Sequence, residues 1–204
     1  MTGTVMTDNA PAKCSPLAHW MGRFIIAISG WKVKGRLPLE KKMIVLGAPH
    51  TSSWDLLFLL AAAFYLGARV HWLGKNSLFL PGVGAVLRYF GGIPVIRGEK
   101  LDTVGQLADR ISKMDKITLI IAPEGTRSSS DHWKSGFYHL AMKSGIPVVC
   151  GYLDYARKEA GLGLCLYLSG NIRQDMDLIR AQYESVTACY PDQKGNAWIS
   201  EESG

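Results

Sequence analysis

The sequence lacks the patterns that mark several large classes of protein. Its four cysteines form no Cys-x-x-Cys pair, and three of them stand in apolar or mixed surroundings, which predicts buried free thiols in a reducing compartment. No apolar run approaches the ~18 residues that a bilayer-spanning helix needs. The short apolar segment near the start has too little basic charge before it for a signal peptide. We therefore expect a chain on the cytoplasmic side that does not cross a membrane.

Motifs for several chemistries are missing as well. Gly82-x-Gly84 has no third glycine at the required spacing, which excludes a dinucleotide fingerprint. The absence of a Gly-x-Ser-x-Gly elbow and of a His-Glu-x-x-His motif argues against hydrolases. The basic residues never form a run of five, and neither an aromatic RNA-binding motif nor zinc-finger spacing occurs, so nucleic acid is not an expected partner.

Charge is unevenly distributed along the chain. Residues 1–100 hold 12 Lys or Arg against 4 Asp or Glu, whereas residues 101–204 hold 11 against 13. A basic first half predicts an anionic partner. Because the basic residues are scattered, an anionic membrane surface or a phosphorylated substrate fits better than a nucleic acid.

The apolar patterns alternate between strand-like and helix-like segments in a chain long enough for one sizeable core, with 204 residues of which 48% are hydrophobic. We predict a single α/β domain, with a mixed, mostly parallel sheet flanked by helices. It spans residues 16–190, between a flexible tail at 1–15 and a C-terminal tail at 191–204. The predicted strands are 31–35, 43–46, 69–74, 91–98, 117–122, 145–152 and 162–169, and the helices 17–31, 53–66, 101–114, 137–143 and 174–188.

The first helix, within residues 16–31, has an apolar face formed by Leu17, Met21, Phe24, Ile28 and Trp31. One interpretation is an amphipathic helix in the membrane interface, which would make the chain a peripheral membrane protein. The other is a helix that packs its apolar face into the core, since periodicity does not say what covers a face. In the first case the supporting cations would be Lys32, Lys34, Arg36, Lys41 and Lys42.

A strand-to-helix turn at residues 47–55 is the first candidate active-site segment. Ser52 and Asp55 have the spacing of a capping box, which places Ser52 at the N-cap and His50 outside the helix. If the chain bends there, the His50 imidazole can fold back onto the Asp55 carboxylate and act as a general base. Alternatively, Asp55 only caps the helix and His50 is a satisfied loop histidine.

A second polar segment, Pro123-Glu124-Gly125-Thr126-Arg127-Ser128, follows the continuous apolar strand at 117–122. Glycine lets the backbone approach a ligand closely, and a hydroxyl and an arginine beside exposed N–H groups can hold an oxyanion or a phosphate. Arg97, at the end of another strand, can hold a phosphate bidentately. The alternatives are a polar turn and solvated charges. His71 lacks a partner motif and is interpreted as structural.

Four blocks therefore stand in order: 49–55, 91–97, 123–127 and Ile146-Pro147-Val148-Val149. This order resembles the glycerolipid acyltransferase family, typified by 1-acyl-glycerol-3-phosphate acyltransferase, whose hallmark is His-x-x-x-x-Asp followed by Glu-Gly-Thr-Arg. The resemblance covers roughly residues 20–185. Pro49, Pro94 and Cys150 stand where many members have Asn, an aromatic residue and Pro, which bears on the acceptor rather than on the chemistry.

The resemblance implies a role for each matching residue. His50 would be the general base and Asp55 its orienting carboxylate, while Pro147 would belong to a block tied to the fold and to acyl-donor binding. The donor would be acyl-CoA or an acyl carrier protein, the acceptor a lysophospholipid, most simply 1-acyl-sn-glycerol 3-phosphate, with neither metal nor cofactor. Another lysolipid, or a non-catalytic lipid- or phosphate-binding role at the membrane, stays open. The implied acceptor-phosphate site comprises Arg97, Glu124, Gly125, Thr126 and Arg127, with Glu124 shaping the loop.

Overall fold

In the computed structural model, residues 9–95 and 103–203 are described, and strands alternate with helices along them. The strands are β1 (Lys32–Lys34), β2 (Lys42–Ala48), β3 (Val70–Lys75), β4 (Gly92–Val95), β5 (Ile117–Ile121), β6 (Val148–Asp154) and β7 (Glu159–Leu166). The helices are α1 (Pro16–Ser29), α2 (Ser53–Tyr65), α3 (Val83–Tyr89), α4 (Thr103–Ser112), α5 (Gly136–Ser144) and α6 (Ile172–Tyr183). This element order confirms the predicted α/β class.

One sheet contains all of these strands, in the order β1-β7-β6-β2-β5-β3-β4. Every neighbouring pair is parallel except β6 and β7, which are antiparallel. The two apolar strands β2 and β5 lie in the interior of the sheet, as expected for strands covered on both faces. The mixed, mostly parallel sheet is therefore as predicted.

Successive β2 residues point to opposite faces of the sheet, and each face has its own helical layer. Met43 and Val45 pack in the core with α1, α2 and α3, whereas Ile44 and Leu46 pack in the core with α4, α5 and α6. Because β2, β5 and β6 are parallel, their carboxyl ends meet at one edge of the sheet. The segments that follow these strands therefore lie side by side at that edge.

Helix α1 packs on α2 through its small side chains. The buried positions are Ala18, Gly22 and Ile26, and a Cβ on Gly22 would lie 2.7 Å from the Ala61 carbonyl oxygen. The larger apolar side chains of α1 point away from this contact. Leu17, Phe24 and Ile28 of the predicted stripe, and Trp20 beside it, keep between 50% and 68% of their surface exposed. Met21 is half-buried and Trp31 is buried, so the predicted stripe is uncovered only in part.

Some of the cations predicted to support α1 are engaged elsewhere. The Lys42 ammonium donates to the last carbonyl groups of α4 at 2.9 and 3.3 Å, so the prediction is wrong for this residue. Lys41 and Lys34 form ion pairs with Asp115 and Glu159 at 3.7 and 3.8 Å. Such surface pairs are weak, but they direct both ammonium groups toward other parts of the domain.

The last strand and helix begin earlier than predicted. Asp154 accepts a hydrogen bond from the Arg157 N–H (2.9 Å) and closes a tight turn, so β7 returns from residue 159 rather than 162. Asn171 caps α6 by accepting from the Gln174 N–H (3.2 Å), so α6 starts at residue 172. It ends at Tyr183, and beyond it the Thr187 carbonyl accepts from the Tyr155 N–H at 3.0 Å.

The segments predicted as tails contact the domain where they are described. Arg69 N–H donates to the Ala12 carbonyl (2.7 Å), and Ile199 is completely buried in the core below α5 and α6. Residues 191–203, predicted as a C-terminal tail, therefore contact the domain through the buried Ile199 side chain. The four cysteines are free thiols as predicted, but only Cys150 is fully buried and Cys165 is exposed.

Candidate active site

The turn after β2 has the predicted local geometry. Ser52 is the N-cap of α2 and its Oγ accepts from the Trp54 N–H (3.2 Å), while the Asp55 carboxylate accepts from the Ser52 N–H (2.7 Å). The reciprocal bonds form a capping box. The Ala48–Pro49 peptide is cis. His50 lies before the helix, at the edge where the carboxyl ends of β2, β5 and β6 meet.

His50 and Asp55 form a hydrogen-bonded pair, with 3.2 Å between His50 Nδ1 and Asp55 Oδ2. Asp55 is completely buried, whereas the His50 side chain keeps 21% of its surface exposed. The same Oδ2 accepts from the Thr51 and Ser52 N–H groups, each at 2.7 Å. The bend that the sequence left as one of two alternatives is therefore present.

The environment of Asp55 keeps it ionised. Burial by itself would raise the pKa of this carboxyl, but the bonds from His50, Tyr155, Ser52 and Thr51 together hold the pKa below its usual value. Because Asp55 is then an acceptor only, His50 Nδ1 must carry the hydrogen of their shared bond. The other ring nitrogen, Nε2, is left as the basic atom, which is the arrangement a general base requires.

Tyr155 is a site residue that sequence reasoning missed. It follows β6 directly, and its hydroxyl donates to Asp55 Oδ1 at 2.6 Å. Burial and the adjacent Asp55 carboxylate raise the pKa of Tyr155, so it stays a donor. No sequence pattern marks it; its place in the site follows from the sheet topology, because β6 is the parallel neighbour of β2 and pairs Tyr152 with Ala48.

Glu124 reaches the pair from the end of β5. Its Oε1 accepts from the His50 backbone N–H at 3.1 Å, so it joins the 123–127 loop to the turn after β2. Oε2 is buried without a hydrogen-bond partner in the part of the chain that the structure describes. Burial raises the pKa of Glu124 to about 7, although the bond from His50 acts in the opposite direction.

The rest of the 123–127 loop lies beside the first turn of α2. Gly125 has a φ of +66°, the left-handed region that glycine adopts without strain. The exposed Arg127 guanidinium donates to Ser53 Oγ. With its NH₂ group turned toward these two loops, the Gln193 side-chain amide donates to the Thr51 carbonyl oxygen at 3.2 Å and to the Arg127 carbonyl oxygen at 2.8 Å. The arrangement gives an exposed cation next to the His50–Asp55 pair.

Two further residues singled out in the sequence lie away from this cluster, and a third, Arg97, lies outside the described residues. Pro147 accepts a bond from the Ile44 N–H (3.0 Å) near the amino ends of β2 and β6, at the opposite edge of the sheet. His71 lies half-buried in β3, where burial, together with Arg69 and Arg110, lowers its pKa. The structure therefore does not bring Pro147 or His71 to the pair. This agrees with a structural role for His71, while the part of Pro147 in acyl-donor binding stays a prediction.

The remaining members of the predicted site are all at the carboxyl edge. Thr126 is exposed, and its Oγ1 accepts from the Ser128 N–H at 3.3 Å. Within residues 9–95 and 103–203, no group of three or more His, Cys, Asp and Glu side chains is arranged to hold a metal ion. The cluster brings together the His50 imidazole, the ionised Asp55 carboxylate and an exposed arginine, an arrangement that can support proton transfer beside a bound anion.

Comparison with known proteins defines the class more closely. The sequence model of the family described as Acyltransferase matches residues 31–153, more than half of the chain. The chain therefore belongs to the acyltransferase family and is an enzyme of this class. The family resemblance drawn from its motifs is confirmed.

A similar solved structure is the 1-acyl-sn-glycerophosphate (LPA) acyltransferase PlsC from Thermotoga maritima. The match has a TM-score of 0.59 and covers 82% of this chain and 77% of that chain, at 18% sequence identity. At this identity the likeness establishes a shared fold. A search of curated protein sequences found no significant match.

Proposed function

We propose that the chain transfers a fatty acyl group from an acyl thioester to the free hydroxyl of a lysophospholipid. His50 Nε2 takes the hydroxyl proton while the acceptor oxygen attacks the thioester carbonyl carbon. The C–S bond then breaks, and the departing thiolate recovers the proton from His50. The observation that carries the proposal is the 3.2 Å contact between His50 and the buried, ionised Asp55, at the edge that also presents Arg127.

The acceptor class is inferred from the loop after β5. Arg127 is exposed, and a guanidinium binds phosphate through paired N–H donors. Gly125 and Thr126 add a small residue and a hydroxyl beside it, and we propose Arg97 as a second arginine of the same phosphate site. A lysolipid with a phosphate next to its free hydroxyl satisfies both the base and the cation. The simplest such acceptor is 1-acyl-sn-glycerol 3-phosphate, with phosphatidate as product.

The test is thioester-dependent acylation across a panel of acceptors. Purified protein is given acyl-CoA or acyl carrier protein thioester with 1-acylglycerol 3-phosphate, a zwitterionic lysophospholipid or monoacylglycerol. Free thiol and the acylated lipid are both measured, since hydrolysis alone would release thiol without lipid product. We expect the phosphate monoester to be preferred. Equal turnover of monoacylglycerol would contradict the assigned acceptor, and thiol release without product would contradict transfer.

We also propose that the enzyme reaches its acceptor at an anionic membrane surface. No described helix is both long enough and apolar enough to span a bilayer. Large exposed apolar side chains are instead concentrated in the α1–α3 layer and the segment before α3. We call this set the apolar face: Leu17, Trp20, Phe24, Ile28, Trp54, Leu57, Leu78, Leu80, Val83, Val86 and Tyr89.

Two observations support lipid as the partner of the apolar face: its helices are joined into one surface, and the charge around it is basic. The Ser15 and Tyr89 hydroxyls are 3.4 Å apart, which joins the start of α1 to the end of α3. Residues 9–95 contain two acidic side chains. Asp55 is buried, and Glu40 accepts a hydrogen bond from the Tyr167 hydroxyl. The exposed cations of residues 9–95 are Lys13, Arg23, Lys32, Lys34, Arg36, Arg69, Lys75 and Arg88. Each contributes about 1 kcal/mol near an anionic surface.

Liposome flotation tests the membrane proposal, with Trp20→Ser/Phe24→Ser and Val83→Ser/Val86→Ser as separate double variants. Because burial of one large apolar side chain contributes roughly 1.5–3 kcal/mol, each pair should weaken binding at least about tenfold. Leu178→Ser is the matched control, since this exposed leucine lies on α6 in the other helical layer.

Wild-type binding should need anionic lipid and fall with salt as the Debye length shortens. Binding that ignores lipid charge, or that survives both double variants, would contradict the assignment of the apolar face. Point variants are sharper than removal of α1, because Ile26 is part of the core and its loss would destabilise the fold.

A further inference from the structure

Tyr155 stands apart from the motifs that led to the active site, yet it contacts Asp55 directly. Its hydroxyl donates to Oδ1 at 2.6 Å, whereas Oδ2 receives the bonds from His50 and from two backbone N–H groups. No other described group donates to Oδ1. Because Asp55 is completely buried, the tyrosine supplies the partner that this oxygen would otherwise lack.

The position of the Tyr155 ring is fixed by contacts that do not involve Asp55. Trp31 meets it edge-on, with 5.0 Å between ring centroids, and stacks on Phe58 at 4.5 Å. Phe58 meets the tyrosine ring edge-on as well, at 6.4 Å. The Tyr155 backbone N–H donates to the Thr187 carbonyl at 3.0 Å. These contacts hold the hydroxyl in position independently of its bond to the Asp55 carboxylate.

We propose that Tyr155 is a positioning residue that sets the rotation of the Asp55 carboxylate and, through it, the tautomer and orientation of His50. The terminal torsion of an aspartate is broad, so a carboxylate held through one oxygen can still turn. A fixed donor on Oδ1 removes that freedom and keeps Oδ2 aimed at Nδ1. The inference rests on the proposed role of His50 as general base.

Tyr155→Phe is the direct test, because it keeps the ring and removes the hydroxyl. We expect kcat to fall about tenfold, the lower end of what a hydrogen bond to a charged group is worth, with KM for thioester and acceptor changed less than about twofold. Tyr138→Phe is the matched control. It removes a 2.7 Å bond to buried Asp175 in the other helical layer, so it should lower stability but not kcat.

A double-mutant cycle separates positioning from a general loss of stability. If Tyr155 acts through Asp55, Tyr155→Phe should add less than about twofold to the loss already caused by Asp55→Asn, since coupled residues are not additive. A further tenfold loss in that background would show that the hydroxyl acts elsewhere, and would overturn the proposal.

The tautomer of His50 gives a readout that does not need turnover. Imidazole ¹H–¹⁵N spectra, assigned with His50→Ala, should show one tautomer with hydrogen on Nδ1 in the wild type, and a mixture in Tyr155→Phe. If no acceptor is acylated but the tautomer shifts in the variant, the proposed function fails and the positioning role stands. If the wild type transfers acyl groups while Tyr155→Phe keeps both kcat and the single tautomer, the positioning role is refuted.

Discussion

Glu124 makes the stability of this protein depend on pH, and Glu124→Gln should remove that dependence. Burial raises the pKa of Glu124 from its ordinary value of 4.5 to about 7. The folded state therefore favours the protonated form, and the stability this provides is complete below pH 4.5 and lost as pH rises through about 7. At about 1.4 kcal/mol per pKa unit, the loss is on the order of 3 kcal/mol.

The measurement is urea unfolding of wild type and Glu124→Gln between pH 4.5 and 8, followed by the fluorescence of the six tryptophans. Glutamine keeps an oxygen that can accept from the His50 N–H but has no charge to desolvate. The unfolding free energy of the variant minus that of the wild type should therefore rise by about 3 kcal/mol across this range. Glu184→Gln, at an exposed position, is the control for the chemical change. A difference that does not vary with pH would refute the reasoning.

Other outcomes follow from the same geometry. His50→Ala should abolish acyl transfer with the fold intact, and Asp55→Asn should lower turnover by a factor on the order of 10² or more, the scale of general-base catalysis. Steady-state rates test both variants, with circular dichroism to check the fold. Near-normal turnover of His50→Ala would refute the mechanism. Arg127→Ala should weaken a phosphate-bearing acceptor by roughly 1.5–3 kcal/mol, and equal loss with monoacylglycerol would contradict phosphate binding. Gly22→Ala should lower the unfolding free energy by about 1–3 kcal/mol, because a Cβ there meets α2 backbone, whereas Gly136→Ala has open space and should not.

Sequence pattern predicted the parts of the site that depend on local chemistry. The Ser52 and Asp55 spacing predicts a helix start, and a helix start after a buried strand leaves His50 free to fold back. The continuous apolar strand before Glu124 predicts an interior position in the sheet, which brings the following loop to the same edge. Both inferences use only neighbours along the chain, so no knowledge of long-range contacts was needed.

Contacts between distant segments were not predictable in this way. Tyr155 and Asp55 are 100 residues apart, and a lone tyrosine after a strand has no distinguishing pattern. The same holds for Gln193, which bridges two loops from a segment predicted to be a tail. These contacts depend on which strands are neighbours, and the order β6-β2-β5 cannot be read from local periodicity.

The first helix shows why periodicity alone left two interpretations open. An apolar stripe reports that a face avoids water, but the partner of that face depends on what the other side of the helix can do. In α1 the other side carries Ala18 and Gly22, and α2 approaches Gly22 so closely that an added Cβ would lie 2.7 Å from the α2 backbone. Close packing against the α2 backbone buries this side of α1. The large residues around Trp20 and Phe24 are then not needed by the core, and their exposure is what the proposed membrane contact rests on.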